Sequence, residues 1–434
     1  MNPIDHLRMA GRRPRPAIRL LTVLSVLVLL AGAFLAAPAA TAAPSRSFVQ
    51  SEQWWIGRLG VHSAWKTTKG AGVTVAVVDS GVQGSFGDLR GALVPGFTTT
   101  GGGNGQTDTD PARHGTRMAD EIAGRGTGFG LLGMAPEAKI MPVAISTDNG
   151  YESLMTALTR LAAMPHPPQV VEMPVGGAER CGDDLQATVT KAVMKGMILV
   201  ASAGNEGGAE GNPSDYPANC VGVVAVGAVD RNGTAWAQTE RQPYVSLAGP
   251  GVHMIGYDTS AASGYGYADG TSDASAVIAG AFALLRAHFP SLPSRQLVTR
   301  MLHTTHQFQG APKSRNATTG YGVALPYNAM TNDVPSTAAN PIYDAVEKLE
   351  HSGAPGSSGS SGGGATRTAT GAPSGPTTVA QAGSSGGGGG SSTGVIVGVV
   401  IAVLVVALIV VLLLVRRRSR SPAGAGTHYG AGPS

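Results

Sequence analysis

The 434-residue chain contains 63 glycines and 28 prolines, so part of it cannot belong to a packed core. Its formal charge of +4 comes from the two ends, because residues 1–42 and 416–434 hold nine of the 31 lysines and arginines but one of the 27 acidic residues. Residues 43–415 therefore carry 22 positive and 26 negative charges. Nucleic-acid-binding proteins usually present a basic face, so we exclude nucleic acid as a partner.

The first 42 residues have the composition of an export signal. Five arginines between positions 8 and 19 precede an apolar run over residues 20–37, and the small residues Ala40 and Ala42 follow. This order predicts an export signal over residues 1–42 that is removed by cleavage. The alternative is an uncleaved signal anchor, because the apolar run is nearly long enough to span a membrane.

Residues 43–331 are predicted to form the folded domain. Segments rich in Val, Ala and Ile alternate there with segments that have helical periodicity. Near-continuous apolar strands are typical of parallel sheets covered on both faces, and helices between them supply the crossover connections. We therefore predict an α/β domain with a mostly parallel central sheet flanked by helices. The predicted strands are residues 72–79, 138–145, 168–177, 197–205 and 223–229, and the predicted helices are residues 153–164, 185–196 and 274–289.

Three short motifs supply an acid, an imidazole and a hydroxyl. Asp79 ends a predicted strand, His114 opens the helical segment that begins HGT, and Ser272 lies in GTS at the start of another helix. Taken singly, each has an ordinary structural explanation, since Ser is a common helix cap and a lone His is usually structural. Together they offer the orienting acid, the base and the nucleophile of a serine peptidase, in one of the chain orders in which this triad recurs.

Additional motifs make the pattern specific. The chain resembles the subtilase superfamily in six segments: VVDSGV at 77–82, HGT at 114–116, GMAP at 133–136, SAGNEG at 202–207, GTSDASAVIAG at 270–280 and GYGV at 320–323. The resemblance implies that Asp79 orients His114, and that His114 takes the proton of Ser272 as it attacks a peptide carbonyl. It also implies that Asn205 donates a hydrogen bond to the oxyanion, although Asn in a glycine-rich loop is also a common turn residue. An esterase would instead show the motif GxSxG.

The predicted substrate cleft departs from the family pattern. Residues 174–177 read Pro-Val-Gly-Gly where the family has a Ser-Leu-Gly-Gly strand, so Pro174 removes one backbone donor. A peptide added as a strand also pairs through carbonyl groups, so substrate binding is altered rather than abolished. We predict that Val175, Gly176 and Gly150 line the cleft.

Two further departures follow the nucleophile. Ala276 stands where the family has a proline, and Asp273 comes directly after Ser272. The Asp273 carboxylate either raises the pKa of His114 by favouring the imidazolium form or is a solvated acid at the helix start.

We expect no metal site and no cofactor. Many subtilisins bind calcium in a loop after the His helix, but residues 124–136 here contain almost no side-chain oxygens, and calcium needs several oxygen ligands. Asp88 is interpreted as a turn acid. His303 and His306 are interpreted as helix-surface residues because they lack a suitably placed third ligand.

The two cysteines, Cys181 and Cys220, allow a single intramolecular pairing. Disulfides persist in exported domains because those compartments are oxidising, so we predict a disulfide between them. The alternative is two buried thiols, since Cys is also a common small core residue.

The C-terminal part is predicted to be a tether. Residues 332–394 form a Gly-, Ser-, Ala- and Pro-rich linker, and most of it is too poor in apolar residues to fold. Residues 395–415 are an unbroken apolar stretch that is long enough for a transmembrane helix. Four arginines follow at once, which places residues 416–434 in the cytoplasm and the peptidase domain outside.

This plan most closely resembles that of the mycosins, membrane-anchored proteases associated with type VII secretion in actinobacteria. The resemblance implies a serine endopeptidase on the outer side of the cytoplasmic membrane that cleaves exported proteins or type VII secretion components. The alternative is a scaffold that stabilises a secretion complex, with proteolysis secondary or lost.

Overall fold

The computed structural model describes residues 45–146, 148–208, 212–261, 263–306 and 314–352. All of them belong to one of two units of the chain, Met1–Ser384. The predicted export signal, transmembrane helix and tail, and most of the predicted linker, lie outside the described residues. Among the helices that the structure does describe, none combines the length and the apolar character needed to cross a membrane.

A seven-stranded sheet forms the centre of the domain, with strand order β2-β3-β1-β4-β5-β6-β7. Each neighbouring pair is parallel, so the chain must cross over between strands and helices cover the faces. The predicted α/β fold with a mostly parallel sheet is confirmed. The strands are β1 Thr74–Asp79, β2 Phe97–Thr98, β3 Lys139–Ala144, β4 Val170–Met173, β5 Ile198–Ser202, β6 Val223–Val229 and β7 Val245–Pro250, and an antiparallel pair is formed by β8 Met254–Tyr257 and β9 Tyr265–Ala268.

The helices are α1 Arg46–Glu52, α2 Trp54–Arg58, α3 Val61–Trp65, α4 His114–Ala123, α5 Gly150–Ala162, α6 Asp183–Met194, α7 Thr271–His288, α8 Ser294–His303, α9 Pro326–Thr331 and α10 Pro341–Ser352. Helix α7 is the buried central helix and packs on strands β4 to β7 and on α4. Its first 15 residues are all buried, as expected for a helix that is apolar on every side. A Cβ at Gly280 would lie 2.6 Å from the Cβ of Met134, so glycine lets α7 approach the GMAP segment.

The parallel sheet brings the predicted functional residues to one edge. Asp79 is the last residue of β1, residues 174–177 follow β4, and Asn205 lies three residues after β5. Because the carboxyl ends of parallel strands share one edge, these groups face the same crevice.

The folded domain extends beyond the predicted boundary at residue 331. Helix α10 lies in the segment predicted as linker, and it buries Tyr343 and Val346. Arg295 of α8 forms ion pairs with Asp344 and Glu347 of α10. The sequence interpretation overlooked this helix because its apolar residues are few and follow a segment rich in Pro, Thr and Asn.

The predicted disulfide is confirmed. Cys181, just before α6, is bonded to Cys220, just before β6, with a Cα–Cα distance of 5.2 Å.

Candidate active site

His114 is held by Asp79. The imidazole Nδ1 lies 2.7 Å from Asp79 Oδ2, and the Asp79 side chain is buried. The other carboxylate oxygen accepts hydrogen bonds from the backbone N–H of Ser80 at 2.6 Å and from its hydroxyl at 3.0 Å. With both oxygens occupied, Asp79 fixes the imidazole orientation and leaves Nε2 to act on another group.

The glycine of the HGT motif makes this contact possible. A Cβ at Gly115 would lie 2.2 Å from the carbonyl oxygen of Gly81 and 3.1 Å from the Cβ of Asp79. Any side chain there would push the start of α4 away from the end of β1. Glycine therefore sets the short distance between His114 and Asp79.

Ser272 is the second residue of α7 and is 2% exposed. Its hydroxyl donates a 3.3 Å hydrogen bond to the carbonyl oxygen of Pro174, and not to the His114 imidazole. Hydrogen bonds between catalytic groups are often long without substrate and tighten when it binds. The N–H of Ser272 lies in the first turn of α7, where backbone donors have no intrahelical acceptor.

Asn205 carries a side-chain donor that has no acceptor among the described residues. Its Oδ1 accepts from the backbone N–H of Thr271 at 3.0 Å and from the Thr271 hydroxyl at 2.8 Å. These two bonds fix the amide and turn Nδ2 the other way, where it is buried without a hydrogen-bond acceptor among the described residues. The Asn205 amide is therefore oriented beside the start of α7 and free to donate to a ligand.

The pKa of His114 is raised to about 9. Burial alone lowers it, but the charge and hydrogen bond of Asp79 favour the imidazolium more strongly, and the charges of Asp273 and Asp110 add to this effect. The structure thus supports the first of the two interpretations of Asp273. At neutral pH the imidazole is mostly protonated.

Asp273 is a buried ion-pair partner rather than a solvated cap. It accepts hydrogen bonds from Arg117 Nε at 2.9 Å and Nη2 at 2.7 Å. Arg117 lies one turn after His114 in α4, so this pair ties the start of α4 to the start of α7. Glu121 Oε1 lies 3.5 Å from Arg117 Nε, and burial raises the pKa of Glu121 well above its usual value.

The three predicted cleft residues have different surroundings. Gly176 is half-buried and lines a cavity of about 150 Å³ beside Asn205, whereas Val175 is buried in the core. Gly150 begins α5 and is not among the residues that line this cavity. The complete lining is Gly176, Gly177, Ala178, Ser202, Gly204, Asn205, Glu206 and Asp215.

Sequence reasoning missed three carboxylates at this cavity. One oxygen each of Glu206, Asp215 and Glu240 lies within 4.8 Å of the others. Burial, followed by the charge of Glu206, raises the pKa of Asp215 to about 7. Burial and the charges of Asp215 and Glu206 raise the pKa of Glu240 to about 8. The only available signal was an acid directly after Asn205, because the other two are distant in sequence.

The loop at 124–136 is held by a carboxylate. Asp88 lies in a short 3-10 turn, as the turn interpretation predicts, but it is fully buried. Its oxygens accept hydrogen bonds from the backbone N–H groups of Gly128, Phe129 and Gly130 at 2.6 to 3.2 Å. Elsewhere, the His303 imidazole at the end of α8 bonds the carbonyl oxygen of Ala339.

The region that contains these site residues matches a known protein family. Residues 70–322, more than half of the chain, match the subtilase family. The chain belongs to this family. The predicted recognition is therefore confirmed, and the Asp79, His114, Ser272 and Asn205 motifs all lie inside the matched region.

Named relatives are proteases. Fervidolysin of Fervidobacterium pennivorans is 30% identical over 332 residues, which are 69% of this chain and 46% of fervidolysin. Subtilisin DY of Bacillus licheniformis is 32% identical over 240 residues, or 54% of this chain and 84% of that protein. The chain thus spans less than half of fervidolysin but most of subtilisin DY.

Solved structures of mycosins have the same fold. MycP1 from Mycobacterium smegmatis matches with a TM-score of 0.57 and 25% identity, covering 70% of this chain and 89% of that chain. The MycP3 protease from the type VII (ESX-3) secretion system matches with a TM-score of 0.55 and 30% identity, covering 64% and 88%.

Proposed function

We propose that this subtilase is a serine endopeptidase with Ser272 as its nucleophile. The observation that carries the proposal is the 2.7 Å contact between His114 and Asp79, beside the helix start that holds Ser272. The unpartnered Nδ2 of Asn205 supports it, because a buried donor without an acceptor suits a group that binds an oxyanion.

The reaction follows from these positions. His114 Nε2 takes the hydroxyl proton while Ser272 Oγ bonds to the peptide carbonyl carbon. The carbonyl oxygen then carries the negative charge and accepts from Asn205 Nδ2 and from the Ser272 N–H. When the C–N bond breaks, His114 returns its proton to the leaving amine. Water then attacks the acyl carbon while His114 takes its proton, the ester C–O bond breaks, and His114 returns that proton to Ser272 Oγ.

Asp79 supports both proton transfers. It accepts the Nδ1–H of His114, which keeps Nε2 turned to the reacting groups and stabilises the imidazolium formed in each step.

Location and partners are the second part of the proposal. The enzyme is exported, anchored by residues 395–415 and oriented with its peptidase domain outside the cytoplasmic membrane. The export-signal pattern, the apolar stretch and the arginines that follow it support this topology. The similarity to MycP1 and MycP3 supports a role in type VII secretion, with exported proteins or secretion components as substrates.

A scaffold role is the second candidate. One observation favours it: with a pKa of about 9, His114 is mostly protonated at neutral pH and a poor base there.

Labelling of the active-site serine tests the proposed endopeptidase activity. The purified full-length protein is exposed to a fluorophosphonate probe at pH 7 and pH 9, beside the Ser272→Ala variant and an exposed-serine control, Ser85→Ala. Labelling that persists in Ser85→Ala and is lost in Ser272→Ala is expected. Absence of Ser272-dependent labelling at both pH values contradicts the proposal that the protein is a serine endopeptidase.

A comparison of secreted proteins tests the scaffold role. The secretome of a strain that carries Ser272→Ala is compared with that of a strain that lacks the gene. Secretion that is preserved in the Ser272→Ala strain but lost in the deletion strain favours the scaffold. Loss in both strains favours the protease.

A further inference from the structure

The cavity beside Asn205 is small and acidic. Six of its eight lining residues are Gly, Ala, Ser or Asn, so little side chain projects into it, and the other two are Glu206 and Asp215. Small lining residues leave room for a substrate side chain, and the two carboxylates favour one that carries a positive charge at its end.

Two of the nearby carboxylates are buried without an ion-pair partner among the described residues. Asp215 is 7% exposed and its Oδ1 accepts no hydrogen bond within the described structure. Glu240 is fully buried, and neither of its oxygens forms a well-aligned hydrogen bond within the described residues, although the backbone N–H of Glu206 lies close enough to favour its ionised form. The ion pairs of the described residues include none of Glu206, Asp215 and Glu240. Buried carboxylates are normally either paired or protonated, and a positive charge bound here would stabilise the ionised forms of this cluster.

The cluster is connected to the oxyanion donor through the backbone. A Cβ at Gly204 would lie 2.5 Å from Asp215 Oδ2 and 2.5 Å from the Cγ of Glu240. Gly204 directly precedes Asn205, so the acids press against the loop that carries the Asn205 amide. A ligand bound by these acids therefore lies next to the reacting carbonyl group.

Covalent geometry identifies which substrate group reaches the cavity. The carbonyl oxygen of the cleaved bond is placed at Asn205 Nδ2, and the side chain on the acyl side begins two bonds from that carbonyl carbon. Asn205 also lines the cavity, so this side chain has a direct path into it. The side chain on the amine side begins three bonds from the same carbon, beyond the leaving nitrogen.

We propose that the cavity selects substrates with lysine or arginine immediately before the cleaved bond. Asp215 and Glu206 contact the ammonium or guanidinium group, and Glu240 lies behind them against Gly204. This inference rests on the proposed serine endopeptidase and names its substrate class.

A divalent cation is the competing occupant. Calcium binds oxygen ligands at about 2.3–2.6 Å, and oxygens within 4.8 Å of one another can share one ion. The substrate side chain is favoured because Asp215 and Glu206 line an open cavity beside the reaction centre, which a structural ion does not require.

Cleavage of matched peptides tests the selection. Purified full-length protein is given peptides that differ at one position before the cleaved bond: Lys, Arg, norleucine or Glu. We expect kcat/KM for Lys and Arg to exceed that for norleucine by about tenfold to a hundredfold, the range of a hydrogen bond to a charged group. Asp215→Asn is expected to remove most of this ratio.

The matched control is Glu137→Gln. Glu137 is exposed and lies two residues before β3, at the opposite end of the sheet from the site. This variant loses one carboxylate, as Asp215→Asn does, and is expected to keep the wild-type ratio. Thermal unfolding of both variants identifies any loss of fold.

A binding experiment tests this inference independently of the proposed peptidase reaction. The Ser272→Ala protein is titrated with the Lys and norleucine peptides, which measures selection without turnover. Equal affinities in this experiment, or equal kcat/KM values in the wild type, overturn the inference even if Ser272 labels normally. A preference that appears only with calcium and disappears with a chelator overturns it in favour of a metal site.

Discussion

Replacing Asp273 with Asn is expected to make the enzyme faster at neutral pH. The pKa of His114 of about 9 leaves about 1% of the imidazole neutral at pH 7, whereas the ordinary pKa of 6.5 leaves about 75% neutral. A base must be neutral to accept the Ser272 proton, so kcat/KM of the wild type at pH 7 is expected to be about a hundredth of its alkaline plateau.

The direction of the change in the His114 pKa follows from the charge of Asp273. A nearby carboxylate stabilises the imidazolium, so removing the Asp273 charge lowers the pKa of His114 and enlarges the neutral fraction. Each unit by which the pKa falls multiplies the rate at pH 7 about tenfold, until the imidazole is mostly neutral.

The assay is the pH dependence of kcat/KM from pH 5 to pH 11 for the wild type, Asp273→Asn and Asp273→Glu. Asp273→Glu keeps the charge and serves as the control, and thermal unfolding reports any damage from the altered Arg117 pair. A wild-type midpoint near 6.5, or identical midpoints in Asp273→Asn and Asp273→Glu, refutes the reasoning.

Three further perturbations have expected magnitudes. Asn205→Ala removes one oxyanion donor and is expected to lower kcat by about 10²–10³-fold with little change in KM, and an effect on KM alone would contradict that role. Arg117→Met leaves Asp273 buried without its partner and is expected to cost about 3–5 kcal/mol in urea unfolding, so a cost below about 1 kcal/mol would show that the pair is dispensable. Reducing the bond between Cys181 and Cys220, which are 39 residues apart, is expected to cost about 4 kcal/mol, to be checked by unfolding with and without reductant against a Cys-to-Ser double variant that should not respond.

The sequence predicted the parts of the site that are encoded locally. Asp79, His114, Ser272 and Asn205 lie in short motifs where a strand or helix begins or ends, and the parallel sheet brings such ends together. The five predicted strands, which correspond to β1, β3, β4, β5 and β6, were recognisable because each is an apolar run, whereas β2 and β7 were not predicted. These features need no knowledge of which distant residues pair.

The parts that sequence reasoning missed depend on long-range packing. Asp273 and Arg117 are 156 residues apart, and neither position indicates its partner. Asp215 and Glu240 follow different strands, and each alone is compatible with a surface turn. Only the folded sheet shows that both are buried beside the same loop.

Glu172 provides a separate test of the buried charge around the site. It is fully buried in β4, and its Oε1 lies 2.8 Å from the Ser275 hydroxyl, which also donates to the carbonyl oxygen of Ser272 at 2.9 Å. One hydroxyl proton cannot fully serve both contacts, so we infer that Glu172 donates the second proton to the Ser275 hydroxyl. Burial, followed by the charges of Asp79 and Asp273, raises the pKa of Glu172 well above its usual value, which agrees with a protonated side chain.

The consequence is a stability difference that depends on pH. Unfolded Glu172 ionises above about pH 4.3 while the folded form stays protonated, so this group makes the wild type progressively less stable as pH rises toward the folded pKa. Glu172→Gln keeps a donor for the Ser275 hydroxyl but does not titrate. Urea unfolding from pH 5 to pH 8 is therefore expected to show the variant becoming more stable relative to the wild type as pH rises toward the folded pKa of Glu172. A difference that is constant with pH would mean that Glu172 is ionised in the folded protein, and Ser275 would then have to donate to Glu172 instead of to Ser272.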